Sequence, residues 1–404
     1  MKYLLIFLLG VTACGCAIDK VSSAPAGFVT AVGDKLFDQA SGGRRIVLRG
    51  VNAGGWLVTE NWMCPNKVAA SETETYESFV QRFGRERADE LYEVYRDSWW
   101  GEEDFANIRS LGMNVIRLPL GWRELMTAEG EMLEAGFRRI DWFIDRAAHH
   151  GLYTILDLHA APGSQNGRDH SGEVRFAKTF FDEKYLNLTC RLWRTLASRY
   201  RDNRWVAAYD LVNEPEGKVG GLSSDPAVEK GIDRLYRSVR EIDSDHLIMI
   251  GACWDPCHLP PPAKYGWTNV AYEYHFYAWG AEKDSRKILE NLEMHRDRER
   301  KDGHKVPVYV GEFTFFVDEA WEQCLQLMAE EGWSWSVWTW KNTSPNYNWG
   351  LWRGYYHSPE TDALKSDDFE TVKRKWRAMG KRGVFQRNRR VTDIIRRHIE
   401  KYPF

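Results

Sequence analysis

The sequence predicts an α/β fold, a (β/α)8 barrel of the TIM type with long βα-loop insertions. Three observations predict it. Eight short strand-like runs alternate with helix-period segments from about residue 46 onward, the order that builds a parallel sheet with crossover helices. Several of those runs are apolar throughout, as strands covered on both faces must be. The chain has 404 residues, enough for one barrel of about 250 plus large insertions.

In chain order the strand-like runs are 46–51, 114–120, 153–159, 207–213, 246–251, 269–277, 306–313 and 333–340. Helix-period segments fall at 105–111, 137–150, 185–200, 228–242, 285–295 and 318–331. In 137–150 the apolar positions Phe137, Ile140, Phe143 and Ile144 recur at three and four, and Gly151 supplies a stop. Three insertions follow strands: 54–100, with a helical stretch at 88–95, then 162–181 and 344–368. They therefore lie on the barrel face where sites are built. The basic stretches 373–377 and 387–397 alternate with Val, Ile and Trp at helical spacing and read as solvated faces of terminal helices.

Composition narrows the function. Lys and Arg number 55 against 58 Asp and Glu, a net charge of −3, which argues against nucleic acid as partner. Apolar residues at 43% and charged residues at 28% exclude disordered and fibrous classes. The 19 Trp residues stand out; flat apolar rings with one donor suit sugar faces or a large core. Lys2, the apolar run from Leu4 to Leu9 and the small residues ending at Cys14 read as an export leader. Ala13-Cys14 resembles a bacterial lipobox, implying cleavage after residue 13, a lipid on Cys14, a tether over 14–27 and one domain over 28–404. A secreted protein cut near Ala17 or Ala24 is the alternative. Cys253 and Cys257 are too few for a structural metal site, and read as a local disulfide or two free thiols.

Polar residues crowd the strand ends: Arg117 on the second strand, Asp157 and His159 on the third, Asn213-Glu214-Pro215 on the fourth. The sixth carries His275 and Tyr277, the seventh Gly311-Glu312-Phe313, the eighth Trp338-Thr339-Trp340-Lys341. Strands four and seven face each other, so Glu214 and Glu312 converge. Two opposed carboxyls are what glycosidic cleavage requires, one to protonate the leaving oxygen and one to attack or to activate water.

On these motifs the sequence resembles glycoside hydrolase family 5. Arg49-Gly50-Val51-Asn52, Gly54-Gly55-Trp56-Leu57-Val58 and the run from Leu156-Asp157-Leu158-His159 to Gly167 are similar to its exo-β-1,3-glucanase branch. The resemblance covers about residues 45–345. It implies a retaining β-glucanase in which Glu214 is acid and then base, its pKa raised by burial and by Glu312. Glu312 is the nucleophile, with Arg117 and the Tyr277 hydroxyl beside it. Asn213 meets the sugar 2-OH, His159 and His275 bind hydroxyls or steer the carboxyls, and Trp340 forms the apolar floor. No cofactor and no metal are implied. The partner is a β-linked oligo- or polysaccharide, with the membrane reached only through Cys14 and no obligate protein partner. The long insertions favour an exo-type pocket; an endo-β-glucanase or β-1,6-glucanase and, in another class, a non-catalytic glycan-binding lipoprotein remain alternatives.

Overall fold

The computed structural model describes residues 27–65, 70–216, 225–344, 349–354, 361 and 365–403. The leader and nearly all of the tether lie outside them. Eight parallel strands close into a barrel: β1 (Arg49–Asn52), β2 (Val115–Gly121), β3 (Tyr153–Ala160), β4 (Val206–Asp210), β5 (Leu247–Gly251), β6 (Val270–Phe276), β7 (Val308–Phe313) and β8 (Ser334–Val337). Each pairs with its sequence neighbours and β8 returns to β1. All eight expected strands are present. β4 and β8 stop three residues short of expectation, because the chain leaves the ladder there to present side chains at the barrel mouth.

The helices are α1 (Glu72–Phe83), α2 (Arg85–Trp99), α3 (Glu102–Ser110), α4 (Trp122–Leu125), α5 (Glu134–His149), α6 (Glu183–Tyr200), α7 (Pro226–Arg240), α8 (Ser285–Asp302), α9 (Asp318–Glu331), α10 (Phe369–Ala378) and α11 (Arg389–Lys401). The sequence does not announce α1. It buries Glu72, Thr75 and Phe79 rather than an apolar stripe, and starts from the Ser71 hydroxyl, which accepts the Glu74 N–H at 3.3 Å. Residues 28–46 hold a second surprise, an antiparallel sheet of Val29–Val32, Lys35–Asp38 and Arg44–Ile46. Its Val29, Leu36 and Ile46 pack on Val115, Tyr153, Ala207 and Leu247, which begin the barrel strands. This sheet plugs the bottom of the barrel. Among the described residues no helix is long and apolar enough to cross a membrane.

Side chains fill the barrel in layers. The lowest inward layer is apolar, with Ile155, Met249, Ala271 and Tyr309 in one cluster. The next is charged: Arg117, Asp157, Asp210 and Glu273 are all fully buried. Alternation along β3 thus takes Ile155 to the floor, Asp157 to the middle and His159 to the mouth. The charged layer needs room, and glycine provides it. A Cβ at Gly311 would stand 1.8 Å from Glu273 Oε1. Gly311→Ala should therefore lower the urea midpoint by an amount matching about 1–3 kcal/mol of overpacking, with the m-value unchanged.

Candidate active site

One cation organises the floor. Arg117 Nη1 donates to Glu312 Oε1 and to Asn52 Oδ1, each at 3.1 Å. Its Nη2 donates to Asn213 Oδ1 at 3.0 Å and its Nε to Asp210 Oδ2 at 2.9 Å. Holding the Asn213 carbonyl oxygen leaves that side chain's N–H groups for a ligand hydroxyl. The Tyr277 hydroxyl donates to Glu312 Oε2 at 2.9 Å. His159 Nδ1 lies 2.7 Å from Asp157 Oδ2, and its ring stacks on Trp338 with centroids 5.2 Å apart. Burial drives His159 well below the usual histidine range, so a neutral imidazole faces the cavity.

Glu214 sits at φ +41°, a left-handed conformation unusual for a residue with a Cβ. The loop after β3 holds it there. Gln165 Nε2 donates to the Asn213 carbonyl at 2.9 Å and Asn166 Nδ2 to the Glu214 carbonyl at 3.0 Å. The Glu214 carboxyl is bracketed by imidazoles, with His275 Nδ1 2.6 Å from Oε1 and His170 Nε2 3.1 Å from Oε2. Burial pushes this carboxyl up, but the two histidines outweigh burial and hold it well below the ordinary carboxylate range. That corrects the raised value expected from burial and Glu312, an expectation that left out His170. Burial likewise opposes charge on His275, yet Glu312, Glu273 and Glu214 raise it well above the usual histidine range.

His275 Nδ1 is also 3.3 Å from Glu312 Oε2. One oxygen from each glutamate lies within 4.8 Å of the other and of a His275 nitrogen. Such a separation suits a retaining pair, near 5 Å, rather than an inverting pair at about 6.5–9.5 Å. The same three groups could approach a cation, although Arg117 already supplies positive charge to Glu312.

Above the carboxyls lies a cavity of about 320 Å³, at the small end of ligand sites. Its wall is aromatic. Trp62 meets Trp349 edge-on at 4.9 Å, and Trp349 lies 5.6 Å from Tyr277 and 6.4 Å from Trp279. Glu60 and Trp62 come from the loop after β1, Asp169 and His170 from that after β3, and Trp254 from that after β5. None of these was singled out from sequence, although the first two loops were. Burial pushes the Glu60 carboxyl to about 8 against the pull of His170, so near neutral pH it can donate as well as accept.

Of the predicted residues, Arg117, His159, Asn213, Glu214, His275, Tyr277 and Glu312 come together. Trp340 does not. It is fully buried, its Nε1 donates to Asp104 Oδ1 at 2.8 Å, and it stacks on Trp352 at 4.1 Å. Trp338 lines the cavity in its place. The resemblance placed the floor at Trp340, but β8 ends at Val337 and the chain beyond it turns Trp338, not Trp340, to the cavity. A Cβ at Gly54 would meet the Trp338 ring at 3.0 Å, so the glycine after the first strand makes room for it. Cys253 and Cys257 are not joined by a disulfide.

A parallel barrel carrying two opposed carboxyls beneath an aromatic pocket defines a glycoside hydrolase. The chain belongs to the cellulase family, glycosyl hydrolase family 5, whose sequence model matches residues 70–344. It is 28% identical to a β-xylosidase of Phanerodontia chrysosporium over 77% of this chain and 70% of that one. It is also 28% identical to a glucan 1,3-β-glucosidase of Lachancea kluyveri over 72% of this chain and 70% of the relative. In fold it matches the crystal structure of rutinosidase from Aspergillus niger with TM-score 0.59 at 18% identity, over 75% of this chain and 92% of that one.

The two tryptophans after β8 should separate cleanly. Trp338→Ala should raise KM for an oligosaccharide about tenfold or more, the loss of roughly 1.4 kcal/mol of ring–sugar contact. Trp340→Phe should leave KM in place and lower the unfolding midpoint by an amount matching about 1.5–3 kcal/mol, the loss of its hydrogen bond to the Asp104 carboxylate. Steady-state kinetics beside a urea titration reads both.

Proposed function

We propose that the protein is a retaining, exo-acting β-glucanase that releases single glucose units from β-1,3-glucan. The observation that carries this is the pair of glutamates, oxygens within 4.8 Å, at the bottom of a cavity of about 320 Å³ walled by Trp62, Trp279 and Trp349. Glu312 attacks the anomeric carbon while Glu214 protonates the leaving oxygen; water then enters with Glu214 as base. Asn213 donates to the 2-OH, His159 and Glu60 bind other hydroxyls, and Trp338 packs under the sugar. The glucan 1,3-β-glucosidase relatives support the linkage. The walled pocket favours exo over endo action, and the opposed carboxyls give a binding-only protein no physical purpose. Export with a lipid on Cys14 belongs to the same proposal and rests on the leader; labelled palmitate should enter the protein and not its Cys14→Ala variant.

Incubation with laminarin should give glucose alone, with the β-anomer first in the NMR spectrum. Mixed oligosaccharides, or product from carboxymethyl-cellulose only, would overturn the exo-β-1,3 reading. Glu312→Gln and Glu214→Gln should each lose about 10²–10⁴-fold in kcat on laminarin, with folding unchanged by circular dichroism.

A further inference from the structure

His170 is a residue that the two-carboxyl mechanism does not use, yet it touches the acid/base. Its Nε2 is 3.1 Å from Glu214 Oε2. The same nitrogen is 2.7 Å from Asn166 Nδ2. The orientation of that amide is set independently, since Asn166 Oδ1 accepts the Arg168 N–H at 3.0 Å and Nδ2 donates to the Glu214 carbonyl at 3.0 Å. Nε2 therefore stands between a carboxylate oxygen and an N–H donor. With a proton on the nitrogen it donates to Glu214; with the proton on Glu214 it accepts from Asn166. Either protonation state finds a partner, and the Asn166 N–H opposes a proton that stays on the ring.

We propose that His170 is a positioning residue that stores the acid/base proton and exchanges it with Glu214 between the two halves of the reaction. This rests on the glycosidase reading above. Before glycosylation the Nε2–H bond breaks, Oε2–H forms and the imidazole becomes neutral. Oε2–H then passes its proton to the glycosidic oxygen, which keeps the electron pair of the breaking C1–O bond while Glu312 closes on C1. In the second half water attacks C1, the Glu312 bond breaks, and the water proton returns through Oε2 to Nε2. No further reactant is needed.

The groups around the ring favour storage. Glu214 approaches from the segment after β4, Glu60 from the loop after β1, and Asp157 and His159 from β3, the His159 ring 6.0 Å away. In its own loop Asp169 lies 3.9 Å from Nδ1, and Arg168 turns to Glu216 at 2.7 Å. Burial lowers the affinity of His170 for its proton, but Glu214, Glu60 and Asp169 raise it to about 9.

The test compares the enzyme with His170→Gln, and with His170→Asn should the first fail to fold, on phenyl and 2,4-dinitrophenyl β-glucosides. The alkaline limb of kcat/KM reports loss of the shared proton. In the variant it should fall by a pH unit or more, since Glu214 alone then holds that proton. The loss on the phenyl glucoside, whose leaving group needs protonation, should exceed that on the dinitrophenyl glucoside by tenfold or more. An unmoved limb with equal losses on both substrates would overturn the proposal while leaving the enzyme reading intact. Wild-type enzyme inert to both glucosides would overturn the two together.

Discussion

The buried guanidinium of Arg117 is the constraint on which the rest of this structure depends. It lies within 4 Å of Asp157, Asp210, Glu273 and Glu312, all deep in the barrel. Isolated charges in such a place would cost many kcal/mol, and a pair balances that cost only with good geometry and satisfied neighbours. Here the geometry is imposed from all sides, by strands that are themselves closed into a ring. Burial still pushes Asp157 up to about 6 and Asp210 well above its usual range, despite Arg117. Burial thus opposes charge on these carboxyls while Arg117 favours it. The layer's product is orientation: the cation that neutralises the interior also aims Glu312 and Asn213 at the cavity.

The second carboxyl is held by different means, which suits its different task. A nucleophile, the role proposed for Glu312, must be held in place, and Glu312 is tied to a guanidinium and a phenol. An acid that later serves as base, the role proposed for Glu214, must exchange a proton, and Glu214 is flanked by two rings able to carry one. The backbone follows the same division. Glu312 lies inside β7, whereas Glu214 stands past the end of β4 in a left-handed turn gripped by Gln165 and Asn166. Asn166 therefore serves fold and chemistry at once, since the amide that pins the Glu214 carbonyl also faces His170.

The parts of this design that repeat along a strand were legible in the sequence. Eight apolar runs give the barrel, and the polar residues at the ends of the second, third, fourth, sixth and seventh give the floor of the site. What was hidden lies where periodicity stops. Trp340 was misplaced just beyond the end of β8. The sheet over 28–46 and α1 carry too few apolar residues to register alone and are held by docking. Glu60, Trp62, Asp169 and His170 sit in long loops whose path nothing local specifies. Their insertions were visible as insertions, but which side chain turns inward depends on contacts with residues distant in the chain, as between Trp62 and Trp349.

Those loops are nevertheless fixed, and the fixing explains why a tryptophan so near the site is buried and does not line the cavity. Trp340 and Lys341 both bind Asp104 at the start of α3, with Lys341 Nζ 2.7 Å from Oδ2 and 2.6 Å from the Trp99 carbonyl at the end of α2. The chain leaving β8 is thereby anchored to the insertion leaving β1. Trp349, a few residues onward, meets Trp62 of that same insertion across the pocket mouth. The segments at the pocket mouth and the carboxyl at its floor are thus tied to separate polar groups, Asp104 for the chain around β8 and Arg117 for Glu312.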